Sequence, residues 1–140
     1  RVSAGAELNQ SSYEYFSGAS HSLAPCGQPR WNPNPDAGQS VLPGGIGELS
    51  VTWCPQHQAW IAIGTVPDSV VGARTSPCLW GPWTELQPLA TIASVGDLPY
   101  GGFTSSNMLT PSRVYFTISL WNHYETYLAY VNLSSLFPPP

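Results

Sequence analysis

Apolar and polar residues alternate along several short stretches of the chain. Alternation over residues 49–53 is followed by a turn-sized polar gap at residues 55–58 and by an apolar run at residues 60–63. Because side chains along a strand point in turn to the two faces of a sheet, this pattern predicts an antiparallel hairpin. A third strand is predicted over residues 70–75, so that the three strands form a meander.

A second unit with the same order of strands follows. Strands are predicted over residues 100–105, 113–121 and 126–133, and a further short strand over residues 12–16. Two copies of a three-stranded unit are typical of repeat architectures. The chain of 140 residues contains 15 prolines and 13 glycines and shows no convincing helical stripe, so we expect a single all-β domain.

The balance of charge argues against several kinds of partner. Four arginines, no lysine and eight acidic residues give a net charge of -4, so there is no basic patch for a phosphate backbone and nucleic acid is not expected. No apolar stretch approaches the roughly 20 residues that cross a bilayer. His21, His57 and His123 are isolated, and the glycine-rich residues 44–47 precede a strand rather than a helix, so neither a metal nor a cofactor is expected.

Two sequons and three cysteines fit a secreted, extracellular protein. Asn9 and Asn132 each begin an Asn-X-Ser triplet and are glycosylation candidates. Cys54 ends one predicted strand and Cys78 follows another, with one strand between the two, which places their backbones about 10 Å apart, too far for a disulfide unless the loops curl inward. Cys26 lies in a loop that can reach either of them, and the thiol left over is either buried or bonded to another chain.

Several segments together resemble a known family. They are GELSVTW, the strand at Trp60, the segment from Arg74 into GPW, and the later YGGFT and VYFTISLWNHYETYLAYVNL. These segments resemble the C-terminal part of secreted five-bladed β-propellers of the furanosidase type, similar to arabinanases and to a related bacterial and fungal family of unknown function. The resemblance runs from about residue 47 to residue 133.

The resemblance implies antiparallel four-stranded blades. Residues 1–47 would form the end of one blade and a loop, residues 48–97 one blade, and residues 98–140 the last blade and a tail. A five-bladed propeller needs five blades of roughly 50 residues each, which 140 residues do not supply. Because open blade edges expose unpaired strands, we expect a second protein chain or another segment to complete the propeller in a hetero-oligomer, or a swapped homo-oligomer.

One carboxylate has the position expected for chemistry on a sugar. Glycosidic hydrolysis generally needs two carboxyl groups flanking the bond, about 5 to 9.5 Å apart. Glu48 opens the strand that the resemblance makes innermost in its blade, next to the channel where such propellers bind sugar, and is our catalytic candidate. The alternative is that Glu48 only hydrogen-bonds the loop at a strand start. Asp36 and Asp97 are interpreted as turn formers, and the second catalytic carboxyl group is expected on the partner.

Four further residues are candidates for substrate binding. Arg74 interrupts an otherwise apolar strand, where an arginine is expected to be paired or to lie at an edge, and it would hold a carboxylate or a sugar hydroxyl or pair structurally. Tyr100, Trp121 and Tyr124 lie near loops and suit the stacking of sugar C–H faces on aromatic rings. The other tryptophans of the blade are expected to be structural. They are Trp53, Trp60, Trp80 and Trp83.

Two function classes follow. The first is a carbohydrate-active propeller chain, part of a secreted glycoside hydrolase that acts on furanose-containing polysaccharide. The second is a sugar-binding, lectin-like propeller or an extracellular assembly subunit that keeps the scaffold without the acid pair, since a fold does not determine a function.

Overall fold

The computed structural model describes residues 1–20 and 26–138, so His21 lies outside the described residues. Within them the fold is all-β, as predicted. The first sheet pairs β1 (Tyr15–Ala19) with β2 (Pro29–Asn32). The second sheet has the order β3 (Gly47–Cys54), β4 (Ala59–Val66), β5 (Val70–Ser76), β6 (Gln87–Ala90), and the third has the order β7 (Pro99–Phe103), β8 (Arg113–Leu120), β9 (Glu125–Asn132).

All described strand pairs are antiparallel. The two α-helices are single turns, α1 (Ile92–Val95) and α2 (Leu133–Leu136), and three 3₁₀ turns cover Gln10–Ser12, Pro35–Ala37 and Ser106–Met108. The second sheet has the four-stranded meander of a propeller blade, and the third contains three strands of such a unit within the described residues.

The predicted strands of the second and third sheets are confirmed to within a few residues at their ends. Two strands were not predicted, β2 and β6. Each is four residues long and contains a proline, Pro29 in β2 and Pro88 in β6. Proline removes a backbone donor and marks turns more often than strands, so these segments lacked a local strand signal. The region expected to be a connecting loop after Cys26 therefore contains a strand.

The main core lies between the second and third sheets. Alternate residues of β8 are buried, which is the period of a strand with one covered face. They pack with side chains of β4, β5 and the C-terminal helix. The buried cluster includes Ile61, Ile63, Val71, Ala73, Val114, Phe116, Ile118, Leu133 and Leu136. These side chains fix the third sheet against the second.

Strand β7 lies directly on the second sheet, and a glycine makes that contact close. A Cβ placed on Gly102 would come within 2.7 Å of the Ile63 Cγ2 and Val71 Cγ1 atoms. Ser50 bridges the two sheets, since its hydroxyl donates to the Gly102 carbonyl at 3.1 Å and accepts from the Thr104 amide at 2.9 Å. These contacts fix the distance and the position of β7 relative to the second sheet.

One disulfide links two distant loops. Cys26 and Cys78 are bonded, with a Cα–Cα distance of 5.3 Å, and the indole of Trp80 donates to the Cys26 carbonyl at 2.6 Å. Cys54 is a free, fully buried thiol. Strand β4 lies between β3 and β5 and keeps Cys54 apart from Cys78, as the strand spacing predicted. Of the two alternatives for the third cysteine, a buried thiol or a bond to another chain, Cys54 is the buried thiol.

The outward face of the third sheet is open. Phe103, Leu128 and Tyr130 lie on this face through their register with β8 and are 49%, 68% and 52% exposed. Strand β9 is an edge strand of the described fold. No helix in the described part of the chain is long and apolar enough to cross a membrane.

Candidate functional site

The candidate site lies where β3 and β7 begin. Thr65, near the end of β4, joins the two starts: its hydroxyl donates to the Glu48 carboxylate at 3.1 Å and accepts from the Gly101 amide at 2.8 Å. Because neighbouring strands run antiparallel, the β4–β5 turn lies at the end of the second sheet where β3 begins, and the β8–β9 turn lies at the end of the third sheet where β7 begins. The Thr65–Gly101 contact joins these two ends. Glu48 and Tyr100 are therefore brought to one end of the molecule.

Glu48 is exposed and holds an unusual backbone conformation. Its φ is 47°, a left-handed backbone angle that residues other than glycine rarely adopt. Tyr124, in the β8–β9 turn, has φ 53°. Strained residues of this kind persist where the surrounding structure holds them and occur often at functional sites. Two of the residues predicted from the sequence for the site are therefore held in a costly conformation.

Three predicted substrate-binding residues form an aromatic cluster, which consists of Tyr100, Trp121 and Tyr124. The Tyr100 and Trp121 rings meet edge to face with centroids 5.4 Å apart, and the Trp121 and Tyr124 rings are 6.0 Å apart and tilted by 36°. Trp121 is 53% exposed and Tyr124 is 74% exposed. Because these rings are exposed, their flat faces are accessible to a ligand at the end of the sheets where Glu48 lies.

A shallow cavity adjoins the aromatic cluster. It has a volume of about 250 Å³ and is lined by Ser69, Leu98 and Pro99 together with Tyr100 and Trp121. Ser69 comes from the β4–β5 turn and the other residues come from the third sheet and its approach, so the cavity spans the two sheets. Its lining combines aromatic and aliphatic surface with a hydroxyl, the mixture expected of a small-molecule site.

The buried carboxylate of Asp97 holds the β8–β9 turn through hydrogen bonds. Only 5% of this residue is exposed, and its carboxylate accepts from the Leu98 amide at 2.6 Å and from the Asn122 amide and side chain at 3.2 and 2.5 Å. His123 Nδ1 lies 2.8 Å from the same carboxylate. Burial by itself raises the pKa of Asp97, but the hydrogen bonds from His123, Leu98 and Asn122 outweigh it and hold the pKa below its usual value.

The Asp97–His123 pair was not found from the sequence. Asp97 was interpreted as a turn former and His123 as isolated, because the two residues are 26 positions apart. The pairing depends on the β7–β8 register, which brings the start of β7 against the end of β8. Trp121 donates its amide to the Leu98 carbonyl at 3.0 Å in the same turn. Asp97 therefore holds the turn that carries Trp121 and Tyr124.

Arg74 is not part of this arrangement. It lies in β5 between β4 and β6, and its alternation with Val71 and Ala73 directs it to the face of the second sheet opposite β7. Arg74 is 9% exposed, and its guanidinium donates to the Thr84 carbonyl at 2.6 Å. Within the described residues, the guanidinium of Arg74 is therefore paired with a backbone carbonyl and not with a carboxylate, and Arg74 lies in an interior strand and not at an edge.

The two glycosylation candidates lie at the surface. Asn9 and Asn132 are exposed, and the Asn9 side chain accepts from the Ser11 amide at 3.2 Å. Their glycosylation stays a prediction. Among residues 1–20 and 26–138, no group of three or more His, Cys, Asp or Glu side chains is arranged to hold a metal ion.

Comparison with known families identifies the family of this chain. A family model described as Domain of unknown function (DUF4185) matches residues 1–130 of the chain. The chain belongs to this family. The match begins at residue 1, so DUF4185 also includes the N-terminal third, which the resemblance in sequence did not cover. No curated protein matches this DUF4185 chain.

The coarser part of the resemblance is confirmed: the chain belongs to a family of unknown function, and its described sheets make an all-β fold. The finer part, the likeness to arabinanases and other furanosidases, stays a prediction. The family description assigns no substrate, so any function must be argued from the residues of the site.

Proposed function

We propose that this DUF4185 chain is a carbohydrate-binding part of a secreted propeller, and that the aromatic cluster of Tyr100, Trp121 and Tyr124 binds the sugar. The single observation that supports this proposal is the exposure of these rings beside a cavity, at the end of the sheets where the Glu48 carboxylate also lies. Flat aromatic faces pack against sugar C–H groups, while carboxylates, hydroxyls and amides take the sugar hydroxyls. The furanose class of the sugar rests on the sequence resemblance.

Binding is favoured over hydrolysis by the state of the carboxylates. Hydrolysis needs a second carboxyl group paired with Glu48 at the right distance. Asp97 does not supply an acid, because its carboxylate accepts four hydrogen bonds, from His123, Leu98 and twice from Asn122, and these bonds lower its pKa. Binding requires only the aromatic cluster and its polar neighbours.

The test of binding uses the full chain and a soluble arabino-oligosaccharide in isothermal titration calorimetry. Trp121→Ala is expected to weaken the affinity by about tenfold or more, because an exposed central aromatic ring typically dominates such an interface. Trp53→Ala is the matched control: Trp53 is also partly exposed but lies at the other end of β3, packed edge to face on Trp60. Equal affinities for the two variants would overturn the proposal.

Glycoside hydrolysis is the second candidate, and the strained backbone of Glu48, at the same end of the sheets as the aromatic cluster, favours it. Glu48→Gln keeps the shape of the side chain but removes its charge and its acid chemistry. If Glu48 is catalytic, this variant loses turnover of the arabino-oligosaccharide and retains its binding. If the chain is lectin-like, the wild type shows binding without turnover.

A further inference from the structure

The β8–β9 turn holds an imidazole in a defined orientation. His123 Nδ1 lies 2.8 Å from the Asp97 carboxylate, and the Asp97 side chain is 2% exposed whereas the His123 side chain is 63% exposed. Nδ1 of His123 is therefore hydrogen-bonded to a buried carboxylate, while most of the imidazole ring is exposed to solvent.

The hydrogen bond to Asp97 determines which nitrogen carries the proton. The pKa of Asp97 is lowered, so its carboxyl group is ionised near neutral pH and acts only as an acceptor. His123 Nδ1 must then be the donor. In the neutral ring Nε2 is left with a free lone pair, because the bond made by one ring nitrogen sets the state of the other.

His123 belongs to the turn that carries two rings of the aromatic cluster. The residue lies between Trp121 and Tyr124 in the turn, and the tilted rings of these two residues are 6.0 Å apart. Asp97 also anchors Leu98 and Asn122, so the carboxylate that fixes the imidazole also fixes the turn that carries the aromatic cluster. Aromatic faces and a fixed acceptor together recognise a polyhydroxylated ring.

We propose that His123, held by Asp97, is a sugar-binding residue whose Nε2 accepts a hydrogen bond from a hydroxyl of a carbohydrate that packs on the aromatic cluster. This inference rests on the proposed carbohydrate binding and adds a specific polar contact to it. Asp97 is a positioning residue that acts through His123. Glu125, two residues after His123, accepts a hydrogen bond from the Tyr127 hydroxyl, whereas the imidazole of His123 is hydrogen-bonded to Asp97.

Two measurements on the full chain test the proposal. In the first, His123→Ala is compared with His57→Ala in calorimetric titration with the arabino-oligosaccharide. His57 is the matched control, because its ring stacks on Phe137 at 4.1 Å, at the opposite end of β4 from Thr65. His123→Ala is expected to weaken affinity by about three- to tenfold, the effect of one hydrogen bond, and His57→Ala to leave it unchanged.

The second measurement is nitrogen-15 NMR of the wild-type imidazoles, which needs no variant to fold. His123 is expected to show a protonated Nδ1 and an unprotonated Nε2 in its neutral form, and the Nε2 signal is expected to shift when the arabino-oligosaccharide is added. The His57 signals are expected to stay in place. A purely structural role for His123 would leave its Nε2 signal unmoved.

The outcomes separate the two proposals. Wild-type binding with an unchanged affinity in His123→Ala, or with an unmoved Nε2 signal, overturns the role of His123 and leaves carbohydrate binding intact. A protonated Nε2 in the neutral ring also overturns it. Absence of wild-type binding overturns both proposals, since the role of His123 depends on the sugar.

Discussion

Individual residues at the start of β3 and in the β8–β9 turn combine a strained backbone with exposure to solvent, and a buried carboxylate anchors the turn. Glu48 and Tyr124 adopt left-handed backbone conformations, and Trp121 remains half exposed. Asp97 is the reverse case, a carboxylate almost fully removed from solvent and surrounded by donors. Buried charges are stable only when they are paired and hydrogen-bonded, so the site depends on the contacts of Asp97.

The lowered pKa of Asp97 links stability to pH. Its usual value is near 3.8 and its value in the fold is lower, so the ionised carboxylate stabilises the fold above the usual value. This contribution is lost as the pH falls through the folded pKa. We therefore expect the free energy of unfolding of the wild type to exceed that of Asp97→Asn near neutral pH, and the difference to shrink at acidic pH.

Chemical denaturation of both proteins between about pH 2 and pH 6 measures this difference. Asp36→Asn is the control, because Asp36 is exposed in a 3₁₀ turn and its removal leaves the β8–β9 turn untouched. A difference between wild type and Asp97→Asn that stays constant over the pH range would contradict the role given to Asp97.

At the scale of elements, the position of the site depends on how β7 lies against the second sheet. Gly102 allows the β7 backbone to approach Ile63 and Val71, and Ser50 bonds across the gap. The same placement brings Gly101 to Thr65 and hence Tyr100 towards Glu48. A close backbone approach in the core thus sets the geometry at the end of the sheets.

Gly102→Ala tests this packing. The added Cβ would lie 2.7 Å from two buried methyl groups, so the strand or its neighbours must shift. We expect a loss of about 1–3 kcal/mol in the free energy of unfolding, as is usual for an overpacked core. Gly47→Ala is the control, because Gly47 is also a strand glycine and the nearest atom to its Cβ is 4.0 Å away. Equal losses in the two variants, measured by urea denaturation, would refute the packing argument.

The sequence predicted those features that depend on local pattern. The strands of the second and third sheets follow from alternation over a few residues, and Tyr100, Trp121 and Tyr124 were grouped by their closeness to loops. The Asp97–His123 pair and the Cys26–Cys78 bond depend on register and loop path over 26 and 52 residues, which no local pattern encodes. The burial of Arg74 on the opposite face depends likewise on the packing of β7.

At the scale of the whole molecule, the fold has an open flank. The third sheet has three described strands against four in the second, and its outward face exposes Phe103, Leu128 and Tyr130. An exposed edge strand with apolar neighbours is a template for pairing. The division into blades at residues 1–47, 48–97 and 98–140 and the completion of the propeller by a second chain or a second copy stay predictions.

Association is expected to depend on this flank. Native mass spectrometry of the full chain should show a species heavier than one chain. Leu128→Lys should reduce that species, because it adds a charge to the exposed face of the edge strand. Leu8→Lys is the control, since Leu8 is fully exposed and lies in the N-terminal segment, outside the third sheet. A monodisperse monomer for the wild type would contradict the prediction.

The central claim is that carbohydrate binds at the aromatic cluster, at the end of the sheets where Glu48 lies. The most direct measurement is a nitrogen-15 NMR titration of the full chain with an arabino-oligosaccharide, following backbone amides and the tryptophan indoles. The account predicts saturable shifts at Tyr100, Gly101, Trp121 and Tyr124, with the Trp53 and Trp80 indoles unchanged. Shifts confined to another part of the fold, or no shifts at saturating sugar, would contradict it.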